Sequence, residues 1–167
     1  MAHSRMYHFQ YDKNDYDDFD EDCVFEESQH FADYVTEMEI SKDEAEWLWR
    51  GLVSIFGNEN VTRNGLSFII KKEGALDYFR RMRADLLQLL EASKDKPIED
   101  FLEFNFDNVN WWRLRERIDS NYDIHFSIDD NCFHSITNFA NDILNYCRTD
   151  KIDEVALELK QIFDFHY

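Results

Sequence analysis

DKIDEVALELKQIFDFHY, residues 150–167, closes the chain, and its reading sets the balance between helix and sheet. The sequence predicts a helix near 151–163, with Asp150 as its N-cap, following another helix near 131–147. Upstream, YDIHFSI (122–128) reads as a strand, because Tyr122, Ile124, Phe126 and Ile128 share one face by period-2 alternation. NVNWWRLRERIDS (108–120) reads as a helix that can turn Trp111, Leu114 and Ile118 inward. Pro97 begins a short helix or turn containing Phe101 and Leu102.

Residues 74–93 make a long amphipathic helix with Ala75, Phe79, Met82, Leu86 and Leu90 on its buried side. VTRNGLSFIIKK (61–72) reads as a hairpin turning at Asn64-Gly65, where the turn needs a positive φ. ISKDEAEWLWRGLVSIFGN (40–58) carries the clearest helix signals. Ser41 with Glu44 forms a capping box, Ile40 and Ala45 can staple, and Gly57 supplies the stop. Its core stripe is Ala45, Leu48, Leu52 and Ile55. Val24, Phe31, Val35 and Met38 fall on one stripe of a further helix, whose exposed side holds Glu26, Asp33 and Glu37. RMYHFQY (5–11) alternates as a strand. The expected fold class is α+β: one helix-rich domain over 1–167, about six helices around a small antiparallel sheet.

Composition sets the physical class. Apolar residues make up 44% of the 167, aromatics 16%, and Gly and Pro together number only five, which suffices for a packed core. The formal net charge is −18. Residues 1–46 hold fifteen acids and three bases, a net of −12, so two-thirds of the excess lies in the first quarter. That field disfavours direct binding to nucleic acid or to an anionic membrane and favours a basic protein partner. No secretory h-region opens the sequence, no run is long enough to span a bilayer, and three cysteines make no disulfide framework. A cytoplasmic setting is expected.

Catalytic and cofactor chemistry finds little material. Asp18, Asp20 and Asp22 have the spacing that opens an EF-hand loop, but Cys23 stands where the turn wants Gly and Gln29 where a bidentate Glu belongs. Cys132, His134, Cys147 and His125 match no zinc spacing. Nucleophile and phosphate-loop motifs are missing. The expectation is therefore no catalytic residue, no metal and no cofactor. Arg80, Arg81 and Arg83 on one helix, and Arg113, Arg115 and Arg117 on another beside Trp111 and Trp112, resemble a single-strand groove. Acids lie among them, so the commoner reading is a solvated or internally paired face.

The acidic segment YDKNDYDDFDEDCVFEES (11–28) holds nine carboxylates, one lysine, and four aromatic rings that a solubilising tail does not need. Eighteen net charges equal those of about 31 Å of duplex DNA, comparable with the roughly 40 Å span of a globule this size. The loop alone is too sparse to copy a duplex. The acidic helix face and the start of the next helix (Asp43, Glu44, Glu46) would supply a second line. The candidate partner-binding residues are Asp15, Tyr16, Asp17, Asp18, Phe19, Asp20, Glu21, Asp22, Glu26, Asp33, Glu37 and Trp47. Tyr16, Phe19 and Trp47 serve as desolvated anchors.

The expected function is a non-enzymatic acidic inhibitor of the basic, nucleic-acid-binding surface of another protein. Two versions share this physics: an immunity protein against a nuclease toxin, and a phage or mobile-element anti-restriction or anti-CRISPR protein. The alternative is an acidic adaptor or assembly subunit. A nucleic-acid-binding module built on the arginine helices stands third.

Overall fold

The computed structural model describes residues 3–11, 34–94, 124–129 and 134–166. Among them are six strands and three α-helices. In chain order these are β1 (His3–Gln10), β2 (Tyr34–Met38), α1 (Lys42–Phe56), β3 (Val61–Asn64), β4 (Ser67–Lys71), α2 (Lys72–Ser93), β5 (Ile124–Ile128), α3 (Ile136–Asp150) and β6 (Glu154–His166). A 3-10 turn at Asn58–Asn60 joins α1 to β3. The strands form one mixed sheet of order β3-β4-β6-β1-β5, with β2 also on β6. The helix-rich expectation of about six helices and a small antiparallel sheet is therefore overturned.

The largest correction lies at the C-terminus. Asp150 is the last residue of α3, whose N-cap is Ser135, and Lys151 leaves the helix in the left-handed region at φ 57°. The Ile152 amide then donates to the Cys147 carbonyl at 3.1 Å, the reverse-turn closure that ends a helix. Residues 154–166, expected to be mostly helix, instead run as β6, the central strand. One side of β6 pairs antiparallel with β1 over Glu158–His166. The other side takes β4 opposite Glu154–Glu158 and β2 opposite Ile162–His166. The expected helix through Val35 and Met38 gives way to β2 for the same reason: its backbone groups are used by β6. The expected helix near 108–120, the turn at Pro97 and the first part of the Val24–Met38 helix lie outside the described residues.

Other local expectations hold. Ser41 caps α1 by accepting from the Glu44 amide at 3.1 Å, and Gly57 ends it at φ 94°. The β3–β4 hairpin forms, but it turns one residue later than the expected Asn64-Gly65: the turn is Gly65-Leu66, and Asn64 belongs to β3, opposite Ser67 as the closing pair. Gly65 has φ 63° and Leu66 is not in the left-handed region, so the turn has the glycine-first form. β1 runs parallel to β5, which places Arg5, Tyr7 and Phe9 beside Ile124, Phe126 and Ile128.

All three helices contribute to one apolar core on this face of the sheet. Tyr7, Phe9, Phe68, Ile70, Phe126, Leu157 and Ile162 meet Leu48, Leu52 and Phe56 of α1, Ala75 of α2, and Phe139 and Ile143 of α3. Each large side chain so buried contributes about 1.5–3 kcal/mol relative to exposure. The stripe expected for α2 fades along its length: Ala75 is buried, whereas Leu90 is exposed. The opposite face of the sheet is also buried but more polar, carrying Ser4, His8, His125, Ser127 and Gln161 among Met6, Phe163 and Phe165. His8 Nδ1 lies 3.2 Å from Ser127 Oγ there.

Candidate functional site

The first turns of α1 approach the N-terminal end of β1, and a cluster of rings and charges forms at that end of the core face. The Arg5 guanidinium donates to the Glu44 carboxylate and lies 5.8 Å from the centre of the Trp47 ring. Trp47 in turn stacks on Tyr7, with ring centroids 6.3 Å apart and planes inclined by 26°. Pairing carries the cluster across the sheet. Asp164 of β6 stands between Arg5 and Thr36, and His166 between His3 and Tyr34. Tyr34 stacks on His166 at 4.0 Å and 12°, and His166 Nε2 lies 3.2 Å from Asp164 Oδ2.

Burial alone would lower the Arg5 pKa, but the Glu44 hydrogen bond and charge more than offset it, and the guanidinium is held above its ordinary range. Burial drives the Tyr7 phenol well above its ordinary value, so it is a neutral hydroxyl at any physiological pH. The charges of this cluster partner one another, while Trp47 and Tyr34 each remain 48% exposed. Large exposed rings on a fixed, charge-satisfied base are suited to contact with another macromolecule.

Trp47 is the one sequence-predicted anchor in this cluster. Glu37 is exposed on β2, but not on a helix face: it projects with Val35 from the side of the sheet opposite Thr36 and Met38. There it accepts from Gln161 Nε2 at 3.3 Å. The sheet thus separates Glu37 from Trp47. Asp15, Tyr16, Asp17, Asp18, Phe19, Asp20, Glu21, Asp22, Glu26 and Asp33 lie outside the described residues. The described residues on either side of that segment are Tyr11, which follows the β1 residue paired with Glu158, and Tyr34, which is paired with His166. Tyr11 is firmly held: its amide donates to Asp129 at 2.8 Å, its hydroxyl to Asp150, and its ring contacts Tyr146 at 4.2 Å.

The expected second line of charge at the start of α1 is largely spent inside the fold. Glu44 pairs with Arg5, and Glu46 with both Arg50 (3.0 Å) and Arg63 (3.1 Å). On α2, Arg80 pairs with Glu73 and Asp77, and Arg81 donates to the Ile55 carbonyl. The arginine groove loses these two members; Arg113, Arg115 and Arg117 lie outside the described residues. His125 and Cys147 fall on opposite sides of the sheet, and His134 Nδ1 sits 2.6 Å from Asp142. Burial pushes the Cys147 thiol up, away from the reactive thiolate. Among the described residues no group of three or more His, Cys, Asp or Glu side chains could hold a metal ion, and no helix is long and apolar enough to cross a membrane.

Sequence reasoning missed Arg5, Tyr34, Asp164 and His166. Their meeting depends on the β1–β6–β2 register, for which no local pattern exists. Compared with known proteins, the chain matches no family model, no curated protein and no solved structure.

Proposed function

We propose that this chain is a non-enzymatic binding protein that occupies the basic, nucleic-acid-binding surface of a partner protein in the cytoplasm. The observation that carries the reading is the charge: −18 in all, −12 of it in the first 46 residues. Such a field accelerates encounter with a cationic surface and repels nucleic acid itself. The half-exposed rings of Trp47 and Tyr34 support it by offering apolar contact at the point where the acidic segment rejoins the sheet. Glu44 and Glu46 pair with arginines of the fold, whereas the segment at 11–28 sets nine carboxylates against one lysine, a net of −8 within 18 residues. A partner of this kind is a nuclease toxin or a nucleic-acid-binding defence effector, which makes the chain an immunity or anti-defence protein.

The test is affinity capture from bacterial lysate at about 0.05 and 0.5 M salt, where the Debye length falls from roughly 14 to 4 Å. The chain should retain a basic nucleic-acid-binding protein at low salt and lose most of it at high salt. A variant with Asp17, Asp18, Asp20, Glu21 and Asp22 changed to Asn or Gln should lose it at both. Equal capture by the two proteins would instead favour an adaptor whose acidic segment only keeps it soluble.

A further inference from the structure

We propose that the outward stripe of α1, formed by Asp43, Trp47 and Gly51, is a docking site for an arginine side chain of the partner protein. The inference rests on the basic-partner reading above and deepens it by naming the side chain that the site takes.

Positions four apart lie one turn from each other along one side of a helix, so Asp43, Trp47 and Gly51 follow one another on α1. This side points away from the buried stripe of Ala45, Leu48, Leu52 and Phe56. The Trp47 ring is held from within: Tyr7 stacks on it at 6.3 Å and the Arg5 guanidinium lies 5.8 Å from its centre. Both contacts come from β1, beneath the helix, so the outer face of the ring carries its 48% exposure. Arg5 is paired with Glu44 and does not present a bare charge to a second cation. A ring fixed on one face loses little freedom on binding, and the open π-face of tryptophan attracts cations more strongly than that of any other side chain.

Asp43 supplies the local charge. It is exposed, and among the described residues its side chain has no ion pair or hydrogen bond. The other carboxylates in the first two turns, Glu44 and Glu46, are taken by arginines. Asp43 stands one turn before Trp47, the spacing at which helical side chains meet. A planar guanidinium stacked on the ring can therefore donate its N–H fork to this carboxylate, whereas an ammonium offers a point charge and no stacking plane. Neighbouring cations leave the place open. Arg50 is bound to Glu46 at 3.0 Å, and Lys42 lies about 100° round the helix from Asp43, on the Glu46 side.

Gly51 points to the same face independently. Glycine inside a helix is destabilising relative to alanine, and no packing within the chain requires it here, because an added Cβ would meet nothing within 4 Å. At Gly74, by contrast, a Cβ would come within 2.8 Å of Asn60 and 3.0 Å of Phe56. The bare backbone at Gly51 leaves a notch beside Trp47 that fits the aliphatic stem of a stacked arginine. A second copy of the chain is a poor occupant, since each carries −18.

The experiment titrates the ¹⁵N-labelled full chain at about 0.15 M salt with a capped nine-residue peptide of alternating arginine and alanine, followed by amide and indole NMR. Its lysine counterpart keeps the charge, and its citrulline counterpart keeps the shape. The expected result is saturable shifts at the Trp47 indole and the Asp43 and Gly51 amides. Affinity should be at least tenfold weaker for the citrulline peptide and at least threefold weaker for the lysine peptide. Trp47→Ala, Asp43→Asn and Gly51→Gln should each weaken the arginine peptide at least threefold. Gly51→Gln places a good helix former in open space, so its Tm should not fall, which separates a filled notch from a damaged fold. Three results would each overturn the proposal: unmoved Trp47 and Gly51 signals at millimolar peptide, equal affinity for the lysine peptide, or unchanged affinity in Asp43→Asn and Gly51→Gln. Equal shifts with oligothymidine would overturn it in favour of a nucleobase on the ring, and a peptide-free dimer broken by Trp47→Ala in favour of a second copy. Shifts confined to residues 11–28 would sink the α1 site and leave the basic-partner reading standing. Saturation at α1 together with failed lysate capture would support the site and sink the basic-partner reading alone.

Discussion

Replacing Phe139 by Ala should test the packing of α3 on the sheet more sharply than any other single change. Phe139 is fully buried, stacks on Phe126 at 4.2 Å and 18°, and lies 5.7 Å from Phe9 and 6.1 Å from Phe56. It is thus the residue at which α3, β5, β1 and α1 meet. Truncating such a side chain removes about 3–5 kcal/mol through lost transfer energy and the cavity left behind. In a chain of this size each kcal/mol lowers Tm by roughly 2–4 °C, so the expected fall is about 6–20 °C. Urea denaturation followed by circular dichroism supplies the free energy, with an unchanged slope showing that the denatured state is not altered. A double-mutant cycle with Phe126→Leu and Phe139→Leu should return a coupling of about 0.5–1.5 kcal/mol for the stacked pair. A loss below about 1 kcal/mol for Phe139→Ala, or zero coupling, would refute the placement of α3 over β5.

Two glycines should respond in opposite directions to alanine. Gly74→Ala would bring a Cβ to 2.8 Å from Asn60 Cβ and 3.0 Å from the Phe56 carbonyl oxygen, so it should destabilise by about 1–3 kcal/mol despite alanine's helix propensity. Gly51→Ala meets nothing within 4 Å and should stabilise α1 by about 0.5–1 kcal/mol in the same denaturation assay. Tyr7 adds an alkaline limb. Its folded pKa lies above the unfolded value near 10, so its contribution is intact below about pH 10 and is lost as pH rises toward the folded pKa. Tyr7→Phe should therefore flatten the fall of stability between about pH 10 and 12.

Elements with local signals were readable in the sequence. The Ser41 cap, the Gly65 turn and the alternation of Ile124, Phe126 and Ile128 each depend on a few neighbouring residues. β6 was not, for two physical reasons. Val155, Leu157 and Leu159 do alternate, but Ala156, Glu158, Lys160 and Gln161 are helix formers. A bulge then places Gln161 opposite His8 and Leu159 opposite Phe9, so Leu159 and Ile162 share a face at a spacing of three. That spacing is one a helix would also give. β2 misleads in the same way, since its two least exposed residues, Val35 and Met38, project from opposite faces of the strand at the spacing of three that a helix would also give. The cluster at Arg5, Trp47 and Asp164 was partly visible, because Trp47 falls off the core stripe of α1, while its neighbours arrive only through sheet pairing.

The central claim is that this chain competes with nucleic acid for one basic surface. The direct measurement is the binding of duplex DNA or RNA to the captured partner, titrated with the wild-type chain and with the variant neutralised at Asp17, Asp18, Asp20, Glu21 and Asp22. The wild type should displace the nucleic acid at one equivalent, with an association rate that falls steeply with salt. The neutralised variant should associate at least tenfold more slowly, and Trp47→Ala should leave the association rate unchanged while dissociating faster. A ternary complex in which partner, chain and nucleic acid coexist at saturating concentrations would contradict the account.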